Sequence, residues 1–454
     1  MSQEISAITW ASKDRSFLLE RSVRSFQDAI RRNGLNLPLF VAGPENDAGI
    51  DGLTVIDKHR LCEHLISKTK WAGVSPETIR FALLGCSESI KNHIVDTGTN
   101  RNALLLTLMD KHFLCVDDDV VCKFADMKEN IGEDAVFDPR LRSLISIFFN
   151  DRDECYHAVS YDEDPPLVDF LSAHKKLLDW HKIDPGSGKV VATVSGIHGD
   201  SGFGSPRSLF LSKINQLELY ENAIKNRLIL RYTSIPVATD NPRFQAVCTG
   251  FDNTMMLPPF LPIGRNQDGV FGVAIKACLP RALIGHVPWV IRHDPVPARE
   301  YPDGEMRIWR FRISEMMSIF LESFYKLHAA DNQSEIYDRY ESVGRYLEQF
   351  AGQEPNEFIS SLRRLCMPNL DIYTDYLRKI SISRTDAPTA LIDDAIGCID
   401  YIEHIKNDRT FCIPEELLSG SNLADAIKSA RDLTFKYGTL LRHWPAIRTA
   451  AANR

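Results

Sequence analysis

The chain of 454 residues has ten cysteines but no CxxC pair and no Cys/His cluster at zinc spacing. The thiols sit in apolar contexts such as Phe113-Leu114-Cys115-Val116, where a free cysteine behaves as a small hydrophobe. A disulfide scaffold and a zinc finger are therefore not expected, and a reducing, cytoplasmic setting is. No apolar run is long enough to cross a bilayer, and the opening MSQEISAITW has neither the basic start nor the apolar core of a secretory leader. Excess positive charge is also missing. The net charge of -8 and pI near 5.9 argue against a general nucleic-acid surface, but leave room for a local basic groove around a phosphate-bearing ligand. There is no P-loop, no dinucleotide fingerprint and no fixed-period repeat.

What is present is ordinary globular composition, 44% apolar and 25% charged, in a chain longer than one core usually serves, so two domains are expected. Ile5 to Trp10 reads as a strand, and Leu19, Val23, Phe26 and Ile30 fall on one helical face that Asn33-Gly34 ends. Pro38 to Ala42 and Leu53 to Ile56 are further strands, giving the strand-helix-strand rhythm of an α/β domain with a mainly parallel sheet. Ile79, Leu83, Leu84 and Ile90 suggest a helix, Thr97-Gly-Thr-Asn100 opens another that runs through Ala103 to Met109, and His112 to Val116 is the next strand.

From Lys123 to about Asp184 the pattern is weak. Val190 to Val194 is a strand that opens into Ser195-Gly-Ile-His-Gly-Asp-Ser-Gly-Phe-Gly-Ser205, whose four glycines suit a loop that approaches a ligand closely or moves as a flap. Beyond about Asp303 the texture turns helical. Met317, Phe320, Leu321 and Phe324 form one stripe, Tyr340, Val343, Tyr346 and Leu347 a second, and Leu391, Ala395, Cys398, Ile399 and Ile402 a third, with Pro355, Pro368, Pro388 and Pro414 as punctuation. The segment from Val296 to Pro302 resembles a linker, which places an α/β domain over 1–302 and an all-α domain over 303–454.

Three consecutive carboxylates, Asp117, Asp118 and Asp119, follow the apolar strand. They repel one another and stand where open α/β sheets bind ligands. A divalent cation, Mg²⁺ or Mn²⁺, relieves that repulsion; the alternative is a solvated acidic turn. The run Gly98-Thr-Asn-Arg-Asn102, helix, apolar strand, Asp117-Asp-Asp119 resembles the GT-A glycosyltransferases of the family 2-like group, in which an Arg-Asn pair opens the helix before the strand carrying the DxD-type acids. The resemblance implies a mostly parallel sheet flanked by helices and a nucleotide-diphosphate sugar as donor. It also implies roles: Asp117 and Asp118 at the donor with Asp117 also near the metal, Asp119 on the metal, Arg101 and Asn102 beside the donor, and Thr9 and Arg15 near the nucleotide. Asp268, at the start of a helix after Leu257-Pro-Pro-Phe-Leu-Pro-Ile-Gly-Arg-Asn-Gln, looks like the general base that takes the acceptor proton. Asp268 also suits a helix cap. His293, after the strand-like Val290-Ile291, looks like the histidine that completes the metal shell, with His286 as its competitor. Arg292 or Arg265 is expected at the donor diphosphate.

Departures from the family exist too. The second strand ends Phe40-Val-Ala-Gly-Pro-Glu45 without an aspartate for the nucleotide base, and the QxxRW motif of processive synthases is missing, which favours a single transfer. The expectation is an inverting, metal-dependent transferase acting on an acceptor hydroxyl of a glycan, protein or small molecule. Two rivals stand beside it. One is a nucleotidyltransferase, although Trp10-Ala-Ser-Lys-Asp-Arg15 lacks the glycine its first loop needs; the other is an inactive GT-A-like interaction protein. Acceptor binding, homodimerisation and partner docking are all open to the helical domain, and no nucleic-acid partner is expected.

Overall fold

In β1 (Ile5–Ala11) and β4 (His112–Val116) alternate side chains enter different cores, as the two-residue period of a strand requires. Phe113 and Cys115 join one cluster with Ala7 and Ala11, whereas Leu114 and Val116 join a second with Ile8 and Trp10. Both faces of the sheet are thus covered, and its central strands read as nearly continuous apolar runs. The computed structural model describes residues 4–12, 15–43, 49–85, 97–129, 134–162, 164, 166–181, 188–201, 209–210, 214–328, 335–419 and 421–452.

Helix α1 (Ser16–Arg32) lays Leu19, Val23 and Phe26 on the second face, and Trp10 fixes it twice: its indole N–H donates to Ser22 Oγ at 2.9 Å and its ring meets Phe26 edge-on. Gly34, at φ +63°, turns the chain out of that helix in a left-handed conformation that glycine tolerates. Then come β2 (Leu39–Ala42), β3 (Leu53–Val55), α2 (Lys58–Lys68), α3 (Pro76–Leu84) and α4 (Thr97–Thr107). Asp57 caps α2 and Ser75 caps α3. Ile90 lies outside the described residues.

The weakly patterned interval contains β5 (Val120–Asp126), β6 (Val136–Phe137), β7 (Leu144–Phe148), α5 (Arg152–His157) and α6 (Leu167–Leu178). After it run β8 (Lys189–Asp200), α7 (Leu217–Ala223), β9 (Leu228–Thr233), β10 (Val237–Thr239), β11 (Cys248–Asp252), α8 (Gln267–Cys278) and β12 (Ala282–His293). The sheet is mixed rather than mainly parallel, in the order β3-β2-β1-β4-β11-β8-β12-β10-β6, with β5, β7 and β9 joined at the side. β11 is antiparallel to both β4 and β8, so β1, β2, β3, β4, β8 and β12 all point the same way and end at one edge.

The glycine-rich stretch is a strand where it is described. β8 continues through Ser195 to Asp200, and its glycines serve close backbone approach: a Cβ on Gly196 would stand 2.6 Å from the Arg231 carbonyl oxygen, and one on Gly199 (φ +124°) 2.1 Å from that of His293. Residues 202–205 of the same stretch lie outside the described residues. Nor is Val296 to Pro302 a slack tether. Arg299 N–H donates to Asp200 Oδ2 at 2.7 Å, Tyr301 N–H to the Lys225 carbonyl at 2.8 Å, and Glu300 bridges Asn226.

The helical stripes form α9 (Ile313–Leu327), α10 (Ile336–Ala351) and α12 (Thr389–Ile405). Between the last two lies α11 (Pro355–Ser383), in which Pro368 is internal rather than a stop. The short α13 (Glu415–Leu418) leads into α14 (Leu423–Ala452). One hydrophobic cluster runs from Ala7 and Phe113 through Phe271 to Tyr437 and Ile447, so the helices cap the first face of the sheet directly. Among the described residues nine cysteines are free and buried, and no helix is long and apolar enough to cross a membrane.

Two consequences can be measured. Asn102 donates from Nδ2 to the carbonyls of Ala82 (3.0 Å) and Phe260 (3.1 Å) and accepts from Phe260 N–H (2.8 Å), all in the interior. Asn102→Ala strands these groups and is expected to cost about 3 kcal/mol in denaturant unfolding. His174, fully buried with its pKa pushed down to about 3 by burial, stays neutral in the folded chain after the unfolded chain has taken up its proton. Stability is thus expected to fall as the pH drops below about 6.5 towards 3, by up to about 1.4 kcal/mol per pH unit from this residue. Denaturation at pH 7 and 5.5 should show the loss, and His174→Gln should reduce it.

Candidate metal centre and its cavity

The chain leaves β4 at Val116, turns through the three acids and re-enters the sheet as β5, whose Val120 pairs with His293 at the end of β12. The Asp294 N–H closes this join on the Asp119 carbonyl at 2.9 Å. Register alone therefore sets Asp119 beside His293. Side-chain alternation parts the other two acids. Asp117 turns towards α4, where Arg101 Nη2 donates to it at 2.6 Å, and Asp118 turns inward, where Ser12 Oγ (3.1 Å) and Arg15 hold it. Arg15 also reaches Asp119 at 2.9 Å, and Arg299 stands 3.6 Å from the same carboxylate.

Asp117, Asp119 and His293 each offer a ligand atom, all within 4.8 Å of one another. The histidine tautomer is set from behind: a carbonyl can only accept, so Nδ1–H donates to the Asp200 carbonyl at 2.8 Å. The ring Nε2 then faces Asp119 Oδ1 at 2.9 Å, a position from which a ring N–H can donate to the carboxylate or, with that proton gone, a lone pair can bind a cation. Together with Asp117 this makes a mixed oxygen and imidazole donor set that could hold a metal ion.

Electrostatics separate the two outer acids. Burial pushes the Asp117 carboxyl up to about 7; Arg101 opposes the rise, while Asp119 and Asp118 add to it. Burial would raise Asp119 as well, but His293, Arg15 and Arg299 hold it well below the usual carboxylate range.

A cavity of about 850 Å³ opens from this cluster, lined by nine arginines against five carboxylates. It brings together Asp117, His293, Arg101, Arg15, Arg265 and Asp268 from the residues singled out in the sequence. Asp268 stands in the first turn of α8, its carboxylate oriented by the N–H groups of Ala246 (3.1 Å) and Gly269 (3.0 Å). Others stand elsewhere. The Thr9 hydroxyl is spent on the Leu114 carbonyl (3.1 Å) inside the sheet, and Asn102 fastens the loop before α8, so neither lines the cavity. Arg292 covers the Tyr156 ring at 3.8 Å, outside it. His198 bonds Cys155 and Tyr161 behind β8. His286 lines the cavity from mid-strand in β12, apart from the acid cluster.

Sequence reasoning missed Arg227, Arg231, Arg243 and Arg299, four of the lining arginines. One had a visible signal: Arg231 interrupts the apolar run Leu228-Ile-Leu.

Mn²⁺ titrated into the full chain is expected to bind at one site and to raise the melting temperature. Asp119→Asn and His293→Gln should each weaken binding by about tenfold or more in calorimetry, whereas a distant charge change such as Asp375→Asn should leave it unchanged.

No family model matches the chain, and neither a curated protein nor a solved structure matches it.

Proposed function

We propose that the chain is a metal-dependent glycosyltransferase of the GT-A type, moving a sugar from a nucleotide-diphosphate donor to an acceptor hydroxyl with inversion. The observation that carries this reading is the Asp117, Asp119 and His293 cluster opening on a cavity that also contains a helix-borne carboxylate, Asp268. The common edge formed by the carboxyl ends of β4, β8 and β12 is where open α/β sheets receive nucleotides.

In this reading Asp119 and His293, with Asp117, hold the cation, which when bound supplies positive charge to the diphosphate leaving group. Arg299 and Arg15 flank Asp119 and add guanidinium donors suited to phosphate oxygens. Asp268 takes the proton of the acceptor hydroxyl as its oxygen attacks the anomeric carbon; the carbon–oxygen bond to the diphosphate breaks, and its electron pair leaves with the phosphate oxygen. Two backbone N–H groups fix the Asp268 carboxylate, so it is oriented before the acceptor arrives. Asp118, locked by Ser12 and Arg15, positions the turn.

A screen of nucleotide sugars for Mn²⁺-stimulated hydrolysis tests the reading. Asp119→Ala is expected to lower the rate by about 10²-fold or more, and Asp268→Ala to abolish transfer to the acceptor while metal-dependent diphosphate binding persists. If UDP, GDP and CDP all fail to bind in the presence of Mn²⁺, the transferase reading is wrong.

A further inference from the structure

From the first turn of α8 the cavity continues along α9. A Cβ on Gly264, just before α8, would stand 3.6 Å from the Ile313 side chain that begins α9, and twelve residues further along both segments the Lys276 ammonium lies 5.6 Å from the centre of the Tyr325 ring. The two helices therefore run side by side in one direction. At that register Gly269 faces Ser318 and Val273 faces Glu322, and all four line the cavity. Gln267 stands at the head of this groove, next to Asp268. Its side chain is only 7% exposed, yet it lines the cavity and has no hydrogen-bond partner among the described residues. Buried amides are nearly always satisfied, and an unmet one costs folding energy that the hydrogen bonds of a ligand recover. The Ser318 hydroxyl is likewise without a partner among the described residues, and there Glu322 meets only Lys326, 3.7 Å away.

We propose that the groove between α8 and α9 is the acceptor subsite, in which Gln267, Ser318 and Glu322 hold the hydroxyl groups of a neutral sugar beside Asp268. The inference rests on the transferase reading for what is then done to that sugar. An amide and a hydroxyl each donate and accept, and a carboxylate accepts from hydroxyls, so the three together match the mixed hydrogen-bonding of a polyol. The Glu322 charge repels a phosphate or carboxylate entering the same groove. Gly269 keeps the groove open next to the base, since a Cβ there would stand 2.7 Å from the Asn266 amide oxygen. The donor diphosphate has its own cations at the acid cluster, Arg15 and Arg299. The helical region thereby gains a part in the reaction, because α9 supplies one wall of the place where the acceptor lies.

The full chain is titrated, with ligand-observed NMR as the readout, against the methyl glycosides of glucose, galactose, mannose and xylose and against glucuronate and glucose 6-phosphate. At least one neutral glycoside should bind about tenfold or more tightly than either anionic sugar. Gln267→Ala should remove about tenfold of that affinity while Mn²⁺ binding and the denaturation midpoint stay as in the wild type, because the amide it deletes has no partner within the fold. A merely structural glutamine would lower the midpoint instead. Ser318→Phe, at a half-buried position, should fill the groove and abolish glycoside binding, and Glu322→Gln should narrow the preference for neutral over anionic sugars. Anionic sugars that bind as tightly as the neutral ones overturn the subsite, as do glycoside binding that Gln267→Ala and Ser318→Phe leave intact and a failure of all four glycosides to bind. The two ideas fail separately: glycoside binding without Mn²⁺-dependent binding of UDP, GDP or CDP keeps the subsite and sinks the transferase, and the reverse result sinks only the subsite.

Discussion

The end of β12 is clamped between two strands, and the rest of the site follows from that clamp. His293 pairs with Val120 on one side and with Gly199 on the other. The first pairing delivers Asp119 to the imidazole; the second brings the Asp200 carbonyl behind Nδ1 and fixes the tautomer. Only glycine fits at position 199, because a Cβ there would overlap the His293 backbone. The sheet thus forces the Asp119 carboxylate against an imidazole nitrogen in a buried place, where its negative charge is poorly solvated by water and can be relieved by a cation. Arg15 and Arg299 relieve it in part, and their charge is then available to an anionic ligand drawn to the same point.

How much of this was legible in the sequence depended on whether a residue's role was local. Strands β1 to β4 and helix α1 declared themselves through short-range alternation and a four-three-four apolar spacing, and the acid run stood out because an apolar strand preceded it. The extension of β8 was hidden because glycines at 196 and 199 argue against a strand on propensity, and only the closeness of β9 and β12 explains them. Thr9 and Asn102 show the opposite error. Both neighbour the motif and both are polar, yet each is consumed by backbone groups remote in the chain, that of Leu114 for Thr9 and those of Ala82 and Phe260 for Asn102. The cavity arginines at 243, 265 and 299 come from separate loops and those at 227 and 231 from the start of β9, so no single spacing rule gathers them. Proximity in a sheet of mixed direction is not a sequence property.

The two ends of the cavity also hang on different supports. Asp117, Asp119 and His293 are fixed by strand pairing, whereas Asp268 depends on the loop that leads from β11 into α8. That loop is held from one side by Asn102 of α4 and from the other by α14, whose Tyr437 hydroxyl (3.0 Å), Trp444 indole (2.7 Å) and Arg448 guanidinium (2.9 Å) donate to the carbonyls of Pro259, Leu257 and Asn253. Aromatic rings and a guanidinium buried against bare backbone are rigid, directional props. A disturbance in the carboxyl-terminal helix therefore reaches the α8 wall through three hydrogen bonds, and reaches the acid cluster through α4, on which α14 packs and whose Arg101 holds Asp117. In physical terms the helical region is part of the wall that carries Asp268, while strand pairing sets Asp119 beside His293 where a cation fits.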